Sequence, residues 1–140
     1  MDLNKVVAEL EFEKTLIHSI ETKCHLTNIS LANKRNFGLD IKCSQPSIKE
    51  NKKYGKLLMQ IDISLNQEES EEPSDTLQII LEGVFSSDKS IEDEKFMQLL
   101  NINGGAALYS IARAKIEAIS GLLYDEGKIL LPMINIIQYY

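Results

Sequence analysis

Tryptophan is absent from this 140-residue chain, aromatic residues make up only 6% of it, and there are two cysteines and three prolines. Two cysteines, Cys24 and Cys43, are too few for the disulfide framework that staples small secreted domains. Cys24 and His25 are adjacent, so on a strand they project to opposite faces and do not share one ion. No Cys-x-x-Cys occurs, and Gly104-Gly105 has neither the spaced glycines nor the lysine of a phosphate loop. Neither a metal nor an organic cofactor is expected. The longest strongly apolar run, Ile129 to Ile137, contains Pro132 and Asn135 and is too short to cross a bilayer. Met1-Asp2-Leu3-Asn4-Lys5 is not a basic region leading into an apolar core, so no secretory signal is expected and the chain reads as cytoplasmic.

Positive charge is outnumbered. Fifteen Lys and Arg face 21 Asp and Glu, a formal charge of −6. That balance gives no general electrostatic ground for binding nucleic acid or an anionic membrane. Basic residues do gather at Lys34, Arg35, Lys42, Lys49, Lys52, Lys53 and Lys56. With Tyr54 the one aromatic among the later lysines, a solvated loop explains them better than a nucleic-acid site. No constellation supports catalysis, and each cysteine falls in an apolar alternating series that suits a buried, inert thiol.

What is present is an ordinary globular balance, 44% hydrophobic and 26% charged, at a length that suits a single domain over 1–140. Leu3, Val6, Val7, Leu10 and Ile17 have helical spacing and predict an amphipathic N-terminal helix over about 3–18. The period then changes to two. Strands are predicted around Cys24–Leu31 (with a bulge), Phe37–Cys43, Leu57–Leu65 and Leu77–Leu81. Residues 44–55 and the acidic run 67–75 read as polar loops between antiparallel neighbours. Ser90, followed by Asp93, predicts the start of a short helix from Ile91 to Leu100. Asn101–Gly105 predicts its break, and a longer helix follows over about Ala106–Tyr124, with Leu108, Ile111, Ala112, Ile119, Leu122 and Leu123 on one stripe. An apolar extended tail begins at Ile129, where Pro132 prevents regular helix. Strands followed by helices predict an α+β fold: a four-stranded antiparallel sheet with helices packed on one face, plus the extra N-terminal helix.

Particular segments carry a family resemblance. Leu77–Phe85 ends the sheet with a Gly-apolar-Phe step, a short helical crossover follows, and Tyr109-Ser110-Ile111-Ala112-Arg113 opens the long helix. Gly127 stands at the next turn, and Leu131-Pro132-Met133-Ile134-Asn135-Ile136 forms the tail. Together these resemble the SecB export-chaperone family, including its solitary and toxin–antitoxin-associated branch. The Phe-Pro that usually precedes the Tyr-Ala-Arg of that family is replaced by Ala107-Leu108, and typical members continue into a C-terminal helix that helps bind the SecA motor.

The resemblance implies a dimer of dimers that acts as an ATP-independent holdase, keeping unfolded or export-destined clients in apolar grooves. It raises SecA or an antitoxin as further partners, and a dedicated partner-binding protein as the alternative function. The residues that flank the crossover, Phe85, Phe96, Met97, Leu100, Leu108 and Tyr109, are the candidate groove, since Met and aromatic side chains adapt to many apolar partners. Phe96, Met97 and Leu100 equally suit the buried face of a short helix.

Overall fold

Alternation of apolar and polar residues dictates most of the sheet. The structure, a computed structural model, describes residues 9–26, 28–32, 34–67 and 74–140. These form β1 (Glu11–Lys23), β2 (Lys34–Cys43), β3 (Ser47–Lys49), β4 (Lys52–Asn66) and β5 (Asp75–Asp88), joined in one antiparallel sheet. The order is β1-β5-β4-β2, and β3 shares the outer side of β4 with β2, so four columns stand abreast. Along β4 the odd-numbered residues Leu57, Met59, Ile61, Ile63 and Leu65 are buried, and their β5 partners are Gly83, Leu81, Ile79, Leu77 and Asp75.

Two helices cover that face. α1 (Asp93–Leu99) passes through one π-helical turn, Leu100–Gly104, directly into α2 (Gly105–Leu123). Phe96, Leu100, Leu108, Ala112 and Ile116 are fully buried in the same core as the strand residues. Each of the larger of these side chains is worth about 1.5–3 kcal/mol on leaving water. Among the described residues no helix lies over the other sheet face. There the Asp62 carboxylate accepts from Gln60 Nε2 at 3.0 Å and Gln78 Nε2 at 2.8 Å, a polar surface satisfied by its own neighbours.

The α+β fold with helices on one face stands, but the sheet has five strands where four were expected, because the short β3 pairs with β4 beside β2, and several segments depart from expectation. The extra N-terminal helix is not seen: residues 11–18 belong to β1, and the remainder of that proposed helix, up to residue 8, lies outside the described residues. The one bulge expected within Cys24–Leu31 is not there; two bulges lie inside β1, between Phe12 and Lys14 and between Ile17 and Ser19. Residues 24–26 are irregular and Ile29–Leu31 is a single 3₁₀ turn, capped by the Asn28 side chain accepting from Ser30 N–H at 2.9 Å. The loop expected over 44–55 contains a tight hairpin. Glu50 and Asn51, at φ 52° and 65°, join β3 to β4 in the left-handed conformation that matches sheet twist.

The break expected at Asn101–Gly105 is absent because its glycines serve proximity rather than turning. Gly104 and Gly105 have ordinary helical φ of −63° and −60°. A Cβ at Gly104 would lie 3.2 Å from Leu57 Cδ1, and one at Gly105 would lie 3.1 Å from Ile136 Cγ1. Ser90 is no cap: its hydroxyl donates to Asp88 Oδ1 at 2.7 Å, and α1 begins after Glu92 with no side-chain cap. Leu122 leaves the predicted stripe and is exposed on the outer side of α2. Both cysteines are exposed, since Cys24 lies just past β1 and Cys43 is the last residue of β2, outside the strip that the helices cover.

Two charged residues expected in solvated loops are buried. Lys53, on the core side of β4, donates from Nζ to Asp93 Oδ1 at 2.6 Å and to the Ile91 carbonyl, tying the crossover to the sheet. Asp75 opens β5, and its carboxylate accepts from His25 N–H at 3.0 Å, Leu26 N–H at 3.3 Å and the Tyr124 hydroxyl at 2.8 Å. Glu68–Glu72, the rest of the acidic run apart from its flanks, lie outside the described residues.

Candidate functional site

The six side chains nominated from the sequence come together, but mostly as core. Phe85, Phe96, Leu100 and Leu108 are at most 1% exposed, Tyr109 is buried up to its hydroxyl, and Met97 is half-buried against the same cluster. The sequence reason is local. A Cβ at Gly55 would sit 2.7 Å from Phe96 Cε1 and 2.8 Å from Leu100 Cδ2, so glycine on the strand lets both side chains lie flat on the sheet.

Accessible apolar surface lies one layer further out, where the tail runs back along α2. Ile129 and Leu131 are buried, whereas Leu130 faces out, the alternation of an extended segment with one packed side. Polar groups on α2 hold the tail by its backbone. Ser120 Oγ accepts from Ile129 N–H at 2.9 Å, Arg113 Nε donates to the Leu131 carbonyl at 3.1 Å, and the Tyr109 hydroxyl donates to the Pro132 carbonyl. Pro132 offers no N–H in return and turns the chain away from the helix. Ile136 then returns to the surface of α2 and fills the space above Gly105.

The outcome is a groove of about 460 Å³ between the start of α2 and residues 133–137. Ile102, Ala106 and Tyr109 line the helix side, and Met133, Ile134 and Ile137 the tail side. Met133 is 85% exposed and Ile137 63%, an unusual display of large apolar side chains within one short segment. The volume lies within the 300–1,000 Å³ typical of ligand pockets, and the polar groups at its rim, Asn103, Ser110 and Arg113, can meet a backbone or a carboxylate. A second concavity, about 520 Å³ at the far end of the sheet, is lined by Glu21, Lys23, Asn36, Phe37, Asp62 and Gln78 among others, and lacks a comparable apolar wall. Of the nominated residues, Tyr109 alone belongs to the groove. The tail residues Met133, Ile134 and Ile137 were missed as site residues. Their signal was an apolar run lying beyond the last helix with no strand left to pair with it.

Burial pushes the Tyr109 phenol up from its ordinary value, against the pull of Arg113, and pushes Tyr124 up further, aided by Cys24 and Asp75. A folded-state value raised above the unfolded one gives stability that is complete below the unfolded value and lost as pH rises. Stability is therefore expected to fall as pH rises past 10.0, the ordinary tyrosine value. Tyr109→Phe should flatten that alkaline decline in urea titrations at graded pH; an unchanged slope would refute the burial argument.

No protein-family model matches the chain, and no curated protein matches it by sequence. Among solved structures it is similar to the SecB-like chaperone Rv1957 of Mycobacterium tuberculosis, seen in complex with a ChAD peptide from the HigA1 antitoxin Rv1956. The TM-score is 0.64 over 94% of each chain, at 10% sequence identity. The chain thus has the SecB-like fold. Among the described residues no helix is long and apolar enough to cross a membrane.

Proposed function

We propose that this chain is an ATP-independent holdase whose groove between α2 and the tail takes apolar segments of unfolded or export-destined polypeptides. The observation that carries the reading is the lining itself: Met133, Ile134 and Ile137, exposed on a tail whose backbone α2 holds at Leu131 and Pro132 and which Ile136 packs against Gly105. A site that binds unfolded chains and not native ones delays aggregation by mass action, without fuel. The net charge of −6 favours basic clients and keeps the loaded complex in solution. Assembly as a dimer of dimers in the cytoplasm goes with this reading, since Leu16, Ile20 and Leu122 are further exposed apolar residues that an interface would cover. Catalysis is no part of it.

The test is light scattering from a chemically denatured client diluted into buffer without nucleotide. Molar excess of the chain is expected to slow aggregation. The double variant Met133→Ser with Ile137→Ser should lose most of that effect, with client affinity reduced about tenfold or more, because each side chain loses up to ~1.5–3 kcal/mol of burial on binding. Because both are exposed in the free protein, its thermal midpoint should hardly move. Unchanged aggregation with the wild-type chain in excess would refute the reading.

A dedicated partner-binding protein is the second reading, favoured by one fact: the structurally similar mycobacterial chaperone was solved with an antitoxin peptide. Co-purification separates the two. One stoichiometric partner, with no effect on generic clients, would support the dedicated role over the general one.

A further inference from the structure

α2 already holds one extended apolar polypeptide, its own tail, and holds it by the backbone. Ser120 Oγ accepts from Ile129 N–H, Arg113 Nε donates to the Leu131 carbonyl, and the Tyr109 hydroxyl donates to the Pro132 carbonyl. After Pro132 the tail diverges from the helix, and the groove opens between the two. The groove is therefore a continuation of the tail–helix interface, with polar side chains still along the helix wall.

Those side chains are Asn103, Ser110 and Arg113, which line the groove with Ala106 among them. Steps of three and four residues place them on one side of the helix. Ser110 Oγ donates to the Ala106 carbonyl at 3.1 Å, which leaves its oxygen able to accept. The Asn103 amide and the two terminal amino groups of Arg113 make no hydrogen bond or ion pair to another described residue. Arg113 is the charged member of the lining. Glu117, one turn further along α2, borders a neighbouring hollow with it but forms no ion pair with it. The bond from Nε to the tail fixes the guanidinium plane, so its other donors are oriented before any ligand arrives. From Asn103 to Arg113 the helix advances about 15 Å, which matches about five residues of extended chain.

We propose that Asn103, Ser110 and Arg113 read the backbone of a bound polypeptide in extended conformation. The Arg113 guanidinium and the Asn103 amide nitrogen donate to its carbonyls. The side-chain oxygens of Asn103 and Ser110 accept from its N–H groups, and Met133, Ile134 and Ile137 receive its apolar side chains. Main-chain hydrogen bonds of this kind supply affinity that does not depend on sequence. A plain hydrocarbon chain in the groove would desolvate the same polar groups without pairing them. This rests on the holdase reading and names the groups that make its site select a polypeptide over other apolar ligands.

The test compares two fluorescein-labelled peptides, rich in leucine and phenylalanine and capped at both ends. Their side chains are identical, but in one the central amides are replaced by esters, which lack the N–H and accept more weakly. Titrated by anisotropy, the wild-type chain should bind the amide peptide about tenfold more tightly than the ester, the factor that one or two net hydrogen bonds supply. Asn103→Ala has no described bond to lose in the free protein and should narrow that preference to about threefold. Asn103→Ala combined with Arg113→Met should bring it close to one, with affinity for the ester unchanged. Equal binding of amide and ester by the wild type, or a full preference retained by the double variant, would overturn the inference and leave the holdase reading in place. An equal loss of both peptides in the double variant would reduce Arg113 to a holder of the tail and would also overturn it. If dodecanoate competed for the groove more tightly than the amide peptide, the site would be one for acyl chains. Binding of neither peptide by the wild type would remove the holdase reading and the inference with it.

Discussion

Phe96→Ala is expected to lower the free energy of unfolding by about 3–5 kcal/mol, the usual cost of emptying a buried phenylalanine site. For a single domain with roughly 5–15 kcal/mol of total stability, that is a large fraction. Phe96 is fully buried, and its ring lies over Gly55 with Leu100 beside it. Neither neighbour can close the gap: Gly55 has no side chain, and Leu100 is itself fixed by the π-helical turn. Urea titration should show a lower midpoint with an unchanged slope, the mark of lost stability rather than altered compactness. The same experiment decides what the residue is for. If Phe96→Ala left stability within about 1 kcal/mol of wild type and abolished client binding alone, Phe96 would be a groove residue, as the sequence pattern first suggested, and the exposed tail surface would lose its priority.

That contrast shows where sequence periodicity stops being informative. In β4, strict alternation from Leu57 to Leu65 named both the strand and its buried face, because a long regular ladder keeps one parity from end to end. In β1 the same rule misled. The residues opposite the core side of β5 are Phe12, Thr15, Ile17 and Ile20, at intervals of three, two and three, because two bulges each add a residue. Such spacing hides the alternation of a strand, so Ile17 counts with the helically spaced Leu3, Val6, Val7 and Leu10 instead. Gly104-Gly105 was read as a breaker for a related reason. Glycine marks both turns and close approaches, and only the packed neighbours, Leu57 and Ile136, tell which applies.

The site was legible by neighbourhood rather than by residue. Apolar side chains around the crossover were recognisable as a group, but a sequence does not say which of two stacked apolar layers faces water. The buried layer, from Phe85 to Leu108, and the outer one, Met133 to Ile137, have the same chemistry; the order of stacking depends on α2 reaching the sheet first. The two buried charges were equally hidden. Lys53 and Asp75 sit among solvated neighbours in the sequence, and their partners Asp93 and Tyr124 are 40 and 49 residues away.

Asp75 carries the other large expected effect. It is fully buried at the junction of three segments, where the connection after β1, the start of β5 and the end of α2 meet on one carboxylate. Asp75→Ala leaves the Tyr124 hydroxyl and the backbone N–H groups of His25 and Leu26 without their acceptor. The Tyr124 hydroxyl is buried and the two amides partly so; at about 1–3 kcal/mol for a buried unsatisfied donor and less for the amides, the loss should reach roughly 3 kcal/mol. Asp75→Asn keeps one acceptor oxygen and should lose less. Tyr124→Phe added to Asp75→Ala removes the stranded hydroxyl, so the double variant should be less destabilised than the sum of the two singles, a coupling of about 1 kcal/mol in a thermodynamic cycle. Strict additivity would mean that the phenol finds water once the carboxylate is gone, and the junction would then be a wet contact rather than the latch joining the first strand's exit to the end of the long helix.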